Sequence, residues 1–376
     1  MTRLLLERGE QGGIQAIPPT LQQSLMARLD RLGPAREVAQ VGAVIGRDFS
    51  YALLHAIAGM EDAPLQMALE RLAEADILLV QGLPPESEYR FKHALIQNAA
   101  YENLLKSRRQ VLHRRVGGVL RDKFADIAAA EPEVLAYHFT QGELDGPAVE
   151  WWGKAGDQAL RRSALEEAIS HFGKAIEIAD KLSTSSTPRT EPEVVSAKQR
   201  LRLQISYGQA VMWSRGYGAE KTKAAFTRAR ELATSADDVA ERLAIYYGLW
   251  VGSAARGEWS LARQFAETFR HEAEDAALRT EAVVAGRALG LTCLWQGDFA
   301  DAQANLMQAM RMYDSQRDRE AKFRFGMDSG ACATAYLAHT SWQFGEVERA
   351  RELIDEAVAR AVETAHAPTL AQNLSV

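Results

Sequence analysis

Two glycine–lysine pairs, Gly153-Lys154 and Gly173-Lys174, are where phosphate chemistry would start, because a glycine-rich turn ending in Lys can cradle phosphate oxygens. Each Lys is followed by Ala rather than Ser or Thr, and neither pair has a Gly five residues earlier. The phosphate loop G-x-x-x-x-G-K-[ST] is therefore missing. No apolar strand ends in paired acids that could hold a magnesium ion. Hydrolysis or cyclisation of a nucleotide needs both a phosphate cradle and a cation to neutralise developing charge. The chain is expected to be non-catalytic, with no catalytic residue, no cofactor and no metal of its own. Cys293 and Cys332 are the only two cysteines, form no CxxC pair, and suggest neither a disulfide framework nor a zinc site. His113 and His138 have no partner at metal-ligand spacing and read as structural.

Lys106, Arg108, Arg109, Arg114 and Arg115 surround Val111 and Leu112, and a basic helix of this kind could contact a phosphate backbone. The whole chain argues the other way. It carries 44 Lys and Arg against 50 Asp and Glu, a net charge of -6, and its pI is near 5.9. A solvated helix face is the preferred reading, and nucleic acid is not expected as a partner. Trp250, Trp259, Trp295 and Trp342 stand near glycines at helical turns and read as core rather than as a ligand platform. At 47% hydrophobic and 25% charged, the composition is that of soluble globular protein. Leu4-Leu5-Leu6 is too short for a signal-peptide core, and no run approaches the roughly 18 apolar residues of a membrane span. Two thiols suit a reducing cytosol. A cytoplasmic location without membrane contact is the expectation.

The elements that must position these residues fall into two patterns. After Pro18-Pro19-Thr20, Leu21, Leu25, Leu29 and Leu32 recur at helical spacing, and Thr20 with Gln23 forms a capping box. A second helix carries Val38, Val41 and Ile45 between Pro34 and Gly46. Ser50 can cap a third with Leu53, Leu54 and Ile57 inward, and Asp62 and Pro64 start a fourth with Leu65, Leu69 and Leu72. Then come a strand (Ile77 to Val80), a turn-rich loop (Gly82 to Ser87), a strand (Tyr89 to Phe91) and a helix opened by His93. Several short helices followed by one small β-hairpin make a winged-helix pattern over 17–105, with the only β-structure near 77–91. Residues 106–145 read as a helical linker holding Val134, Leu135, Tyr137 and Phe139.

From 146 to 376 the pattern repeats. Gly257-Glu258-Trp259-Ser260-Leu261-Ala262, Gly297-Asp298-Phe299-Ala300-Asp301-Ala302 and Gly345-Glu346-Val347-Glu348-Arg349-Ala350 align as Gly, acidic, apolar, two variable residues, Ala. Eight residues before each Gly stands Leu249, Leu289 or Leu337, and four before each stands Ser253, Cys293 or Ser341. A fourth copy has Ser163 in place of Gly and continues through Ala168, Phe172 and Ala175. Each Gly can end one helix in a left-handed conformation, with the acidic residue in the first turn of the next helix and the Ala where the two helices touch. Ten of the eleven prolines lie at or before Pro192, which leaves 193–367 free of helix breakers. Ser183 to Pro192 is the clearest loop. The fold class is therefore mainly α: a winged helix, then an irregular tetratricopeptide-like α-solenoid with a concave binding surface. Successive Gly landmarks are 40 and 48 residues apart, longer than the regular 34-residue repeat, so longer helices or loops are expected.

Ile17 to Leu21, Leu25 to Leu32, Ala43 to Phe49, Phe91 to Leu95, Glu133 to Phe139, Gly216-Tyr217-Gly218 and Phe325-Gly326-Met327-Asp328 together resemble one bacterial family. Its members are large signal-transduction proteins in which a class III adenylate/guanylate cyclase domain precedes a STAND/AAA-type ATPase, a winged helix and a tetratricopeptide-like array. The resemblance runs from about residue 14 to the end. It implies that the ATPase and cyclase domains, with their ATP and magnesium, lie outside this chain. On the same basis 1–16 is the residual tail of the ATPase, and the last repeat is incomplete. His93 resembles the histidine of the Met-His-Asp motif, with Ala94 where that motif has an acid. In such relatives this imidazole approaches the β-phosphate of bound ADP; the alternative is a His that caps its helix or packs under the hairpin. The implied role is a protein-binding regulatory module, the winged helix docking on the ATPase and the solenoid binding a protein or small effector. The alternative is a fragment of an ATPase-solenoid transcriptional regulator with a DNA-contacting winged helix.

Overall fold

The computed structural model describes residues 27–83, 86–184, 195–233 and 239–376. The expected tail 1–16, the capping box at Thr20 and Gln23, Pro84-Pro85 and residues 185–192 of the expected loop lie outside the described residues. Chain contacts separate two units, one running to Lys154 and the other from Ala155.

In the first unit, α1 (Ala35–Ile45) follows Pro34 and buries Val38, Val41, Val44 and Ile45. β1 (Asp48–Ser50) comes next. Ser50 then caps α2 (Tyr51–Ala58), its hydroxyl accepting from the Leu53 N–H at 3.2 Å. α3 (Asp62–Glu74) turns Leu65, Leu69 and Leu72 inward, and β2 (Leu78–Gln81) and β3 (Glu88–Phe91) form a hairpin. The expectation that β-structure is confined to 77–91 is corrected by β1. It pairs antiparallel with β3, Phe49 opposite Tyr89, and the sheet order is β1-β3-β2. Three residues are too few to carry a period-2 pattern, so nothing in the sequence marks this strand. Phe49 stacks on Tyr89 with ring centroids 5.9 Å apart, tying the sheet to the core. α4 (Ala94–Glu102), α5 (Lys106–Lys123), α6 (Ala125–Ala130) and α7 (Pro132–Gln141) follow, with α5 packed against α1, α2 and α7. α8 (Asp145–Arg161) carries the chain into the second unit.

The second unit is helical throughout its described residues. α9 (Leu165–Thr184), α10 (Ala197–Arg215), α11 (Glu220–Ala233), α12 (Val239–Ala255), α13 (Trp259–Asp275), α14 (Arg279–Gln296) and α15 (Phe299–Met312) come first. After them stand a short α16 (Ala321–Phe325), α17 (Ser329–Gln343), α18 (Val347–Glu363) and α19 (Ala367–Ser375). α9 includes Ser183 and Thr184, so the expected loop begins later than its polar composition suggests. α10 to α14 each pack on the next helix, α15 packs on α17, and α10, α12, α14 and α17 each also touch the next in that set. That is a solenoid of helical hairpins held by nearest neighbours.

One turn chemistry builds these hairpins. Gly257, Gly297 and Gly345 have φ of 73°, 87° and 80°. At the second, the Asp298 N–H donates to Cys293 O at 2.9 Å and the Gly297 N–H to Leu294 O at 3.1 Å, the pair of bonds that closes a helix with a left-handed residue. Ser253 and Ser341 accept from Glu258 and Glu346 in the same way, at 3.0 and 2.9 Å. Hence the small residue four positions before each Gly: its carbonyl is the acceptor and its side chain is buried under the turn. Ser163, Glu143 and Ala277 make the same turn at φ 58°, 53° and 54°, and Ala365 shares its left-handed conformation at 49°. The acidic residues Glu258, Asp298 and Glu346 stand immediately before the next helix rather than in its first turn.

The 48-residue interval has a structural cause. Between α15 and α17, residues 313–328 turn inward and place α16 against α10 and α12. Phe325 is fully buried there, its ring 5.4 Å from Tyr247 and 5.9 Å from Phe269. Arg324 pairs with Glu281 at 2.8 Å and donates to Ala240 O. Asp318 anchors the base of the segment, accepting from Arg317, from the Asp314 N–H at 2.9 Å and from Thr280 at 2.6 Å. Burial acts to raise its pKa, but these donors outweigh it and hold the carboxyl below its usual range.

Candidate functional site

The facing sides of α12, α14 and α17 enclose a cavity of about 280 Å³ in the second unit. Residues three to four apart on each helix point into it: Tyr247, Trp250, Val251 and Ala254 from α12; Arg287, Leu291 and Trp295 from α14; Cys332 and Tyr336 from α17. Tyr217, Trp259, Met327 and Gln372 close it from neighbouring segments. Two of the segments that carry the family resemblance, Gly216-Tyr217-Gly218 and Phe325-Gly326-Met327-Asp328, thus meet at this cavity although they are over a hundred positions apart.

Arg287 is the unusual group. It lies amid Val283, Val284, Ala285, Ala288 and Leu289 on a helix buried on nearly every side, and is itself 2% exposed. Its Nη2 reaches the Tyr247 hydroxyl at 3.4 Å, its guanidinium sits 5.7 Å from the Tyr247 ring centre, and its Nε has no hydrogen-bond partner. Among the described residues it forms no ion pair. Asp328, the buried carboxylate that caps α17, is occupied by the Ala331 N–H at 2.8 Å and the Tyr313 hydroxyl at 3.0 Å. Burying an unpaired charge costs several kcal/mol, so most solvent-excluded cations are paired.

Burial keeps Cys332, Tyr336 and Tyr217 of the wall neutral at pH 7. Burial pushes the Cys332 thiol up to about 11 against the pull of Arg287, and Tyr336 up to about 12. Burial likewise raises Tyr217. Gln372 donates to the Tyr336 oxygen at 2.7 Å, which leaves that phenol its own hydrogen to give. Tyr247 is in the same position, accepting from Arg287. Trp250 spends its N–H on Thr292 at 2.8 Å. The cavity is therefore rich in donors, poor in acceptors, and otherwise walled by indole, Leu and Met.

The tryptophans divide between core and cavity. Trp250 is buried, but it lines the cavity together with Trp259 and Trp295, whose rings meet at a tilt with centroids 5.5 Å apart; Trp295 is 42% and Trp342 60% exposed. Reading all four as core is thus corrected, because helical spacing cannot separate a core face from a face lining a void. Arg287 escaped notice since a charge within a helix ordinarily signals the solvent side. Ala262 and Ala302 are fully buried, while Ala350 is half-buried. Gly290 is a close neighbour of α15: a Cβ there would lie 2.6 Å from Leu306.

His93 is exposed and occupies the cap position of α4 without a side-chain cap bond. His113 and His138, separate in sequence, are bonded Nδ1 to Nδ1 at 2.9 Å in the buried core of the first unit, and the other His113 nitrogen meets the Tyr101 hydroxyl at 3.0 Å. The basic run is largely engaged: Lys106 pairs with Glu143, Arg108 with Glu37, Arg109 covers the Tyr101 ring, and Arg114 donates to Gly142 O. No group of three or more His, Cys, Asp or Glu among the described residues could hold a metal, and no helix there is long and apolar enough to cross a membrane.

No protein-family model matches the chain. An uncharacterized protein of Rhizobium meliloti (strain 1021) is 26% identical over 360 residues, 93% of this chain but 33% of that protein. The chain spans about a third of the length of the curated relative it matches. Similar solved structures include a signal transduction ATPase with numerous domains and a tetratricopeptide repeat sensor from Pyrococcus horikoshii. It is 11% identical, with TM-score 0.42, over 92% of this chain and 53% of that one. NprR in complex with its cognate peptide NprX is 13% identical, with TM-score 0.48, over 86% and 80%. A Rap protein complexed with competence and sporulation factor is 11% identical, with TM-score 0.44, over 94% and 96%.

Proposed function

We propose that this chain is a non-catalytic regulatory and interaction module of a bacterial signal-transduction ATPase linked to an adenylate/guanylate cyclase. The solenoid takes an effector, and the cavity between α12, α14 and α17 is its binding site. The observation that carries the reading is the cavity itself: a walled void on the facing helices, holding a buried cation that no described residue pairs with as an anion. The first unit is a winged helix in this reading, docking on the ATPase domain through its hairpin. Leu79, Val80 and Leu83, 47%, 45% and 83% exposed, supply an apolar surface for that contact, with His93 nearby as the group facing nucleotide. The nucleic-acid alternative is weakened by the pairing of the basic run.

The test uses Ala255, which lines the cavity but is exposed, so that Ala255→Trp plugs the opening without crowding the core. A thermal-shift screen of small acids, amines and short peptides should give hits on the unmodified chain that vanish in this variant. Neither protein should hydrolyse ATP. Hits that survive the plug, or ATP turnover above background, would overturn the reading.

A further inference from the structure

We infer that the cavity recognises a single carboxylate carried on an apolar or aromatic body, with Arg287 as its counter-ion. This deepens the effector-binding reading above and rests on it. Arg287 is fully enclosed, points into the cavity, and lacks both an ion-pair partner and a partner for its Nε. A guanidinium presents a planar fork that matches a carboxylate with two parallel N–H···O bonds.

The remaining wall agrees on the sign of the ligand. Tyr247 and Tyr336 each already accept a hydrogen bond and keep a hydrogen to donate, and no carboxylate lines the cavity. Donors converge, and the acceptors are neutral amide and phenol oxygens such as Gln372 Oε1, so a cationic ligand would lie beside Arg287 with no anion to balance it. One buried cation balances one negative charge. A dianionic phosphate would bring a second charge that Arg287 alone does not balance. Around these groups stand Trp250, Trp259, Trp295, Leu291 and Met327, which suit an aromatic ring or a branched aliphatic chain. A cavity near 280 Å³ has room for one such body and its carboxylate. The acid can be free, or it can be the C-terminus of a peptide whose last side chain enters the cavity.

The experiment follows tryptophan fluorescence of the full chain while it is titrated with four probes. They are 4-phenylbutyrate, its amide, the peptide acetyl-Ala-Ala-Phe with a free C-terminus, and the same peptide amidated. Each acid should bind at least tenfold more tightly than its amide. Whichever acid binds more strongly identifies the source as free acid or peptide end. Arg287→Met should bring acid and amide to equal affinity, whereas Arg287→Lys keeps part of the preference. Without ligand, Arg287→Met should melt no lower than the unmodified chain, because it removes an unpaired buried charge. A clear loss of melting temperature would instead make Arg287 a structural group and overturn the inference. So would an acid preference that survives Arg287→Met, or inorganic phosphate competing as well as the acids do. Amides that bind as tightly as acids would remove the carboxylate while leaving effector binding intact. No binding by any probe overturns the carboxylate assignment, and hits from the broader screen then tell whether the effector reading survives.

Discussion

His113 and His138 can share their 2.9 Å hydrogen bond only while at least one ring is neutral, because one Nδ1 must accept from the other. Burial, reinforced by the Arg109 guanidinium, pushes His113 down to about 4; burial, then His113, drives His138 well below its ordinary value. The sign follows from linkage. Above pH 6.5 neither folded nor unfolded chain binds these protons; below it the unfolded chain takes them up and the folded one does not. Stability is fully present above about 6.5 and falls until about pH 4, by about 3 kcal/mol from His113 alone. Urea melts at pH 7 and pH 5 should show the drop, and a His113→Leu/His138→Leu double variant should remove most of it. An unchanged difference in that variant would place the pH dependence elsewhere. Neither this pair nor Arg287 can be read from the chain alone. Twenty-five positions separate the two histidines, and residue type records a charge but not whether water reaches it.

Turns are where element and sequence correspond most directly. Gly257, Gly297 and Gly345 are legible because a left-handed residue favours Gly, and Ser163 is legible because the rest of its motif is intact. Ala277, Ala365 and Glu143 hold the same conformation with nothing in their type to announce it. Ala277→Gly should therefore stabilise the chain, by about 0.5 kcal/mol once the flexibility of unfolded Gly is deducted. Gly297→Ala has open space around it, so its cost of about 1 kcal/mol should be purely conformational. Packing sets the larger effects. Ala302 is fully buried and its carbonyl lies 3.3 Å from where a Gly290 Cβ would be, so Ala302→Leu should cost about 1–3 kcal/mol. Exposed Glu346 should lose well under about 1 kcal/mol on replacement by Ala. Equal urea midpoints for those last two variants would mean that Ala302 is not at a helix contact.

At the scale of the whole second unit, a solenoid couples each hairpin to its neighbours and to little else. The segment 313–328 breaks that rule by carrying α16 back to α10 and α12. The long repeat interval was visible in the sequence, but its direction was not, since Ala321 to Phe325 reads like any short amphipathic stretch. Phe325→Ala should cost about 3–5 kcal/mol. Hydrogen exchange should rise in α10 and α12 as well as in α17; a rise confined to α17 would mean that the segment does not couple distant repeats. A helical array without such a tie behaves as a coil spring, free to lengthen by small changes of pitch at every turn. Here one strut crosses from the later coils to the earlier ones, and Met327 at its end forms part of the cavity wall. The tie between repeats and one wall of the cavity thus belong to the same segment. A molecule held in the cavity would therefore press on the same segment that ties the later coils to the earlier ones.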